Sequence, residues 1–115
     1  MRRRATLALA LAGAALAAAP ADAGPRKTIR IGDNYFQPAK VTVRPKTTIV
    51  WRWPSEGGDV HDVRLRKGPK GVKRFQSEPA SGPYTYRRTL TRPGTYTIVC
   101  TLHEEMRMTI RVRKR

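Results

Sequence analysis

Three side chains that can bind a soft metal ion lie close together near the C-terminus. Cys100, His103 and Met106 fall within seven residues, directly after the apolar run 96–99. A thiolate, an imidazole and a thioether are soft or borderline donors, and this mixture suits copper better than magnesium or calcium. The only other histidine, His61, lies far upstream beside a second apolar run. Two imidazoles, one thiolate and one weak thioether together make up the ligand set of a blue-copper electron-transfer site.

Each of these residues also has an interpretation without a metal. A lone cysteine is more often a small buried hydrophobe, and methionine commonly fills gaps in a core. His61 could be a buried histidine bonded to a carbonyl group. A thiol protease would need a third catalytic member and a cysteine on a helix, and the chain offers neither. Zinc could bind the same donors, although two histidines and a cysteine with a weak fourth ligand favour copper.

Short strands separated by turns must position these donors. Alternating apolar residues, β-branched runs and Gly/Pro turns predict strands at 28–31, 35–38 leading into 41–43, 47–53, 61–66, 84–90, 95–100 and 108–112. The segment 67–83 is rich in Gly and Pro and is predicted to be a long loop. No stretch after the leader shows a helical apolar stripe. About seven short strands at this spacing predict an all-β, antiparallel β-sandwich.

The first 23 residues have the pattern of a signal peptide. Arg2, Arg3 and Arg4 precede an Ala/Leu-rich run at 7–19, and Ala21-Asp22-Ala23 is a small-x-small cleavage site. The apolar run is shorter than the roughly 20 residues of a membrane span, which favours cleavage over an anchor. We therefore expect residues 1–23 to be a signal peptide and residues 24–115 to form a single exported domain, periplasmic or extracellular, with no membrane anchor.

Charge and cysteine content limit the function classes. The leader holds three of the 24 Lys+Arg and one of the 8 Asp+Glu, so residues 24–115 carry 21 against 7 and a net charge of +14. This charge favours acidic partners, but the basic residues are spread along the chain, which is more typical of solvated strand faces than of a specific nucleic-acid site. Trp51 and Trp53 are predicted to pack in or near the core. One cysteine cannot form an intramolecular disulfide, so its thiol needs another role.

The stretch 94–106, which reads GTYTIVCTLHEEM, and the stretch 60–63, which reads VHDV, resemble the cupredoxins. The resemblance extends to Phe36-x-Pro38 and to the strands at 41–43 and 47–51. Within that family the loop spacing is most similar to the amicyanins and the small plastocyanin-like copper proteins. The resemblance implies an eight-strand Greek-key sandwich with one type 1 copper at one end. It also implies a specific ligand set: His61, Cys100, His103 and Met106.

The chain departs from the family pattern at three places. Asp62 stands where the family often has Asn, and its carboxylate is expected to accept hydrogen bonds from Thr101, favour Cu(II) and lower the reduction potential. Two glutamates, 104 and 105, stand where relatives often carry Pro and apolar residues. Met108 is an alternative axial ligand through a longer Cys-x2-His-x4-Met spacing, and Met106 is favoured on loop similarity.

These observations predict an exported, monomeric type 1 copper protein that carries single electrons between redox partner proteins through Cu(II)/Cu(I). His103 is the expected exposed electron port. An enzyme with further metals would need more histidines than this chain has, so we predict that it is not an enzyme. One alternative is a copper carrier or scavenger with the same ligands. Another is a cationic, metal-free domain that binds surfaces.

Overall fold

The computed structural model describes residues 24–114, so the predicted signal peptide lies outside the described residues. Every regular element among them is a β-strand. The strands are β1 (Arg26–Gly32), β2 (Tyr35–Gln37), β3 (Lys40–Val43), β4 (Thr47–Arg52), β5 (Arg64–Lys67), β6 (Thr85–Leu90), β7 (Gly94–Val99) and β8 (Arg107–Val112). Across residues 24–114, no helix has the length and apolarity needed to span a membrane.

The strands form two four-stranded sheets that enclose one core. One sheet has the order β2-β1-β4-β6 and the other β3-β8-β7-β5. The predicted all-β Greek-key sandwich is confirmed. Two strand pairs, β1 with β4 and β3 with β8, run parallel. Alternation of apolar residues predicts which face of a strand is buried but not the direction of its neighbour, so the sequence alone gave no sign of these parallel pairs.

The central strand β4 contributes several of the most deeply buried side chains of the core. Five of its six residues are buried, because it lies between β1 and β6 and its inner face meets the opposite sheet. Ile49 and Trp51 are fully buried, and Trp53 just beyond the strand is 5% exposed, as predicted for this face. Each such side chain stabilises the fold by about 1.5–3 kcal/mol through burial alone. In β8, Met108, Ile110 and Val112 alternate inward as predicted.

The segment around His61 differs from the prediction of a continuous strand over 61–66. Strand β5 begins only at Arg64, and His61 instead forms an isolated antiparallel bridge with Ala80. Two backbone hydrogen bonds of 2.9 Å join these residues. The reason is that backbone groups of residues 61–63 form hydrogen bonds with the distant segment 76–80. His61 therefore lies outside the sheet that holds β7. His61 remains fully buried.

Candidate metal centre

The loop between β7 and β8 is closed by two backbone hydrogen bonds. The Cys100 amide donates to the Met106 carbonyl at 3.0 Å, and the Met106 amide donates to the His103 carbonyl at 3.0 Å. These bonds fold the loop so that Cys100 and His103 approach each other. The Cys100 Sγ and the His103 Nδ1 are 3.5 Å apart.

His61 reaches the same point from the segment that precedes β5. Its Nδ1 is 4.0 Å from the Cys100 Sγ, and the two imidazole centroids are 4.9 Å apart. Trp53 helps to fix the backbone here, because its indole N–H donates to the His61 carbonyl at 3.2 Å. The ligand atoms of His61, Cys100 and His103 all lie within 4.8 Å of one another. The two histidines and the cysteine therefore form one cluster, although 39 positions separate His61 from Cys100 in the chain.

The cluster has the dimensions and chemistry of a site for a soft metal ion. For zinc, metal–sulfur and metal–nitrogen bonds of about 2.3 and 2.0 Å allow a sulfur and a nitrogen on one ion to be up to about 4.3 Å apart. The two observed separations of 3.5 and 4.0 Å fall within this limit. Cys100 is 3% exposed, and the His103 side chain is 22% exposed. Two neutral nitrogens and a thiolate in a largely dry setting favour copper.

Two buried methionines follow His103 in the chain, at different depths. Met106 is 1% exposed, and its carbonyl accepts the Cys100 amide, so it lies opposite the cysteine. Met108 is 2% exposed and lies opposite Ile98 in the ladder between β7 and β8. Two residues of a strand cover about 6.6 Å, which places the backbone of Met108 one layer deeper in the sandwich.

Asp62 joins the two segments that carry the cluster. Its Oδ1 accepts the Thr101 amide at 2.7 Å, and its Oδ2 accepts the Thr101 hydroxyl at 2.6 Å. The Gln76 side chain donates to the same Oδ2 at 3.2 Å. Asp62 is 2% exposed, so these bonds replace the water that a buried carboxylate would otherwise need. The carboxylate thus ties the residue after His61 to the residue after Cys100.

Asp33 is a site residue that sequence reasoning missed. It lies in the turn between β1 and β2, and its Oδ1 is 2.7 Å from the His61 Nε2. The Asp59 amide donates to the same oxygen at 3.0 Å. The His61 hydrogen bond, and then the Asp59 amide, hold the pKa of Asp33 below its usual value. The turn is visible in the sequence, but only the pairing of β1 with β4 brings it to His61.

A side chain at position 58 would collide with this carboxylate. A Cβ added to Gly58 would come 2.9 Å from the Asp33 Oδ2. Gly58 therefore allows the loop that carries His61 to pass close to the β1–β2 turn. This close approach lets the Asp59 amide and the His61 ring share one carboxylate oxygen.

The fold and the cluster together define the class of the protein. The model of the copper binding proteins of the plastocyanin/azurin family matches residues 26–113, and the chain belongs to that family. The resemblance to cupredoxins is thereby confirmed. Copper is the cofactor, with one ion per domain of this kind, and His61, Cys100 and His103 form its candidate ligand group.

Individual relatives agree with this class. Amicyanin-alpha of Methylorubrum extorquens is 31% identical over 103 residues, which cover 90% of this chain and 83% of the relative. The crystal structure of amicyanin from Paracoccus versutus has a TM-score of 0.66 and 27% identity, covering 83% of this chain and 85% of that one. A copper-containing nitrite reductase from Thermus scotoductus also matches, with a TM-score of 0.67 and 26% identity. The match covers 91% of this chain but only 25% of that enzyme.

Proposed function

We propose that this protein is an exported electron carrier that passes single electrons between partner proteins. The observation that carries the proposal is the buried cluster of one sulfur and two ring nitrogens, all within 4.8 Å. A bound copper supplies reversible one-electron Cu(II)/Cu(I) chemistry at such a cluster. The similarity to Amicyanin-alpha supports the same conclusion.

His61, Cys100, His103 and Met106 would hold the copper. The position of Met106 opposite Cys100 supports it as the axial ligand over Met108, which lies opposite Ile98. The thiolate of Cys100 would be the most covalent ligand, and the weak thioether would tune the potential.

The residues that hydrogen-bond to the ligand segments hold the ligands in a fixed geometry that suits electron transfer. Asp62 and Thr101 fix the two ligand segments to each other, and Asp33 fixes the ring of His61. A ligand set held in this way changes little between oxidation states, which favours rapid electron exchange. Removing such supporting partners typically costs about 10–100-fold in metal affinity or activity.

The burial of the ligands supports a carrier of electrons over a carrier of copper. His61 is fully buried and Cys100 is 3% exposed, so handing copper to a chelator or partner would require the loops to open. An electron can pass through the partly exposed His103 without any ligand leaving. Both histidines of the chain are already in the cluster, which leaves none for a second, catalytic metal. We therefore propose a carrier rather than an enzyme.

One experiment tests export and copper binding together. The full chain is produced in a bacterial host, recovered from the periplasm and loaded with Cu(II), and its mass and visible spectrum are measured. We expect a mass that begins at Gly24 and an intense blue absorption band that is absent from Cys100→Ser. Retention of the leader in the cytoplasm would contradict export, and a colourless wild-type protein would contradict the copper site. Reversible one-electron redox, with little copper lost to a chelator, would separate electron transfer from copper delivery.

A further inference from the structure

Three arginines line a cleft directly beside the metal cluster. The cleft has a volume of about 480 Å³, and Arg64, Arg66 and Arg74 line it together with Cys100 and Thr101. Val99 and Glu104 complete its lining. All three arginines are exposed, and none forms an ion pair with any residue in the part of the chain that the structure describes.

The fold explains why these arginines come together. Arg64 and Arg66 belong to the edge strand β5, where they flank the buried Leu65 and so lie on the outer face. Arg74 comes from the segment that runs along β5, where the Leu65 amide donates to the Phe75 carbonyl at 3.0 Å. Arg64 is also opposite Val99 in the pairing of β5 with β7. The arginines are therefore held beside the residue that precedes the cysteine ligand.

Most of the carboxylates lie at the end of the molecule that carries His103. None of the seven carboxylates within residues 24–114 lies in a strand, and five of them surround the cluster. Asp33 contacts His61, the Asp59 carboxylate is 4.0 Å from the His103 Nε2, and Asp62 holds Thr101. Glu105 stands in the ligand loop itself, and Glu104 of the same loop also lines the cleft, where three arginines outnumber it. An acidic partner is consequently repelled from the His103 end and attracted to the arginine cleft.

We propose that the arginine cleft is the docking site for an acidic redox partner, so that Cys100 gives this partner's electron an entry or exit separate from His103. This inference rests on the proposed function. Guanidinium groups form bidentate hydrogen bonds with carboxylates, and three unpaired ones in a single cleft suit a cluster of Asp and Glu side chains. A partner seated there lies against Cys100, whose sulfur is the proposed covalent ligand. The one electron that the partner loses is the one that reduces the site.

The first test uses the metal-free protein, so that it does not depend on copper binding. The ¹⁵N-labelled protein is titrated with octa-L-glutamate, and amide shifts are followed by NMR. We expect the largest shifts at residues 64–67, at Arg74 and at Thr101. Shifts centred on the β1–β2 turn or on Asp59, or spread over all basic strands, would overturn the proposal.

Matched variants separate the cleft from the overall charge. The triple variant Arg64→Gln/Arg66→Gln/Arg74→Gln removes the cleft charges, and Arg30→Gln/Arg52→Gln/Arg111→Gln removes three exposed arginines that do not line it. We expect octaglutamate binding to weaken about tenfold in the cleft variant, because it loses three charge-assisted donors. The control variant should lose about twofold or less at physiological salt. Equal losses of octaglutamate affinity in the two variants would mean that binding depends only on the net charge of the protein, and would overturn the proposal.

Electron exchange with small probes of opposite charge tests the route. In the copper-loaded protein, each hexacyanoferrate(II) ion gives up one electron and becomes hexacyanoferrate(III), while the protein is reduced by one electron. The cleft variant should slow this reaction and leave reduction by hexaammineruthenium(II), a cation, nearly unchanged. Equal slowing by both variants would contradict entry through the cleft. A protein that binds octaglutamate at the cleft but takes up no copper would refute the electron-carrier function and leave the docking site standing.

Discussion

His61 is held at both nitrogens of its ring. Its Nε2 is 2.7 Å from the Asp33 carboxylate, and its Nδ1 is 4.0 Å from the Cys100 Sγ. Because a carboxylate only accepts, the proton belongs on Nε2, and the Nδ1 lone pair is left directed at the cluster. The ring is therefore oriented and in the correct tautomer before any metal binds. A carboxylate on the far nitrogen also makes the imidazole a stronger donor, which stabilises the more highly charged Cu(II).

Asp33→Asn should raise the reduction potential, because the amide keeps an acceptor for His61 but removes the negative charge. Substituting a residue that hydrogen-bonds to a metal ligand typically changes metal affinity by about 10–100-fold. If the change favours one oxidation state, each tenfold difference in affinity shifts the potential by about 59 mV. Asp33 is half-exposed and screened by water, so we expect the lower end of the roughly 10–100-fold range. This corresponds to an increase in the reduction potential of about 60 mV, as measured by cyclic voltammetry. Glu105→Gln removes an equal charge from the exposed ligand loop and should shift the potential much less. Equal shifts in the two variants would mean that the hydrogen bond to His61 has no special role.

Met106 and Met108 provide a matched pair for the axial position. Met106→Leu removes a weak donor that favours Cu(II), so the potential should rise by on the order of 60 mV and the visible spectrum should change. Met108→Leu is a swap of similar volume one layer deeper and should cost less than about 1.5 kcal/mol of stability without altering the spectrum. Voltammetry and absorption spectra of both variants decide between them. The reverse pattern would assign the axial position to Met108.

At the scale of elements, the corner between β6 and β7 is fastened by one tyrosine. The Tyr96 hydroxyl donates to the Arg92 carbonyl at 2.7 Å, while the ring is 1% exposed in the core. Burial raises the pKa of Tyr96 above its usual value of 10.0. The proton is held more tightly in the folded state than in the unfolded one. The resulting stability is complete below about pH 10 and is lost as the pH rises through the raised pKa of the folded state.

Tyr96→Phe should lower the free energy of unfolding at neutral pH by about 1 kcal/mol, because the Arg92 carbonyl loses its donor. The same variant should lose less stability than the wild type between pH 9 and pH 11, since it has no phenol to ionise. Guanidinium unfolding at a series of pH values measures both effects. Parallel pH profiles of the wild type and the variant would show that the pKa of Tyr96 is the same in the folded and unfolded states, which would contradict the upward shift.

Local patterns in the chain predict most of the strands but not the contacts between distant loops. Alternation of apolar residues, and in β4 a β-branched and aromatic run, was sufficient to predict the strands β1, β4, β6, β7 and β8, because these patterns are local in the chain. The donors Cys100 and His103 could be found because they share one short loop. The bridge from His61 to Ala80 and the contact of Asp33 with His61 depend on loops that meet only after both sheets have formed. No local sequence pattern indicates contacts between distant loops, so neither contact could be predicted from the sequence.

At the scale of the whole molecule, copper binding takes the place of a disulfide. The only cysteine is in the cluster, and the segments that carry Cys100 and His61 are also linked by the hydrogen bonds that Asp62 accepts from Thr101. A metal that binds only the folded state adds about 4.1 kcal/mol at a thousandfold excess over its Kd. For a domain of this size each kcal/mol moves the melting midpoint by about 4–8 °C.

Removal of copper by a chelator should therefore lower the melting midpoint by roughly 15 °C or more, as measured by calorimetry. Cys100→Ser lacks the thiolate, and its midpoint should respond only weakly to added copper. An equal response in the variant would mean that copper binds elsewhere on the protein.

The proposed function depends on one arrangement, in which a single copper ion would be bound by the sulfur of Cys100 and the ring nitrogens of His61 and His103. X-ray absorption at the copper edge of the loaded protein measures this arrangement directly. We predict one short copper–sulfur distance from Cys100 and two nitrogen distances with the scattering pattern of imidazole. A shell of oxygen and nitrogen alone, with no short sulfur, would contradict the metal centre and the electron-transfer function built on it.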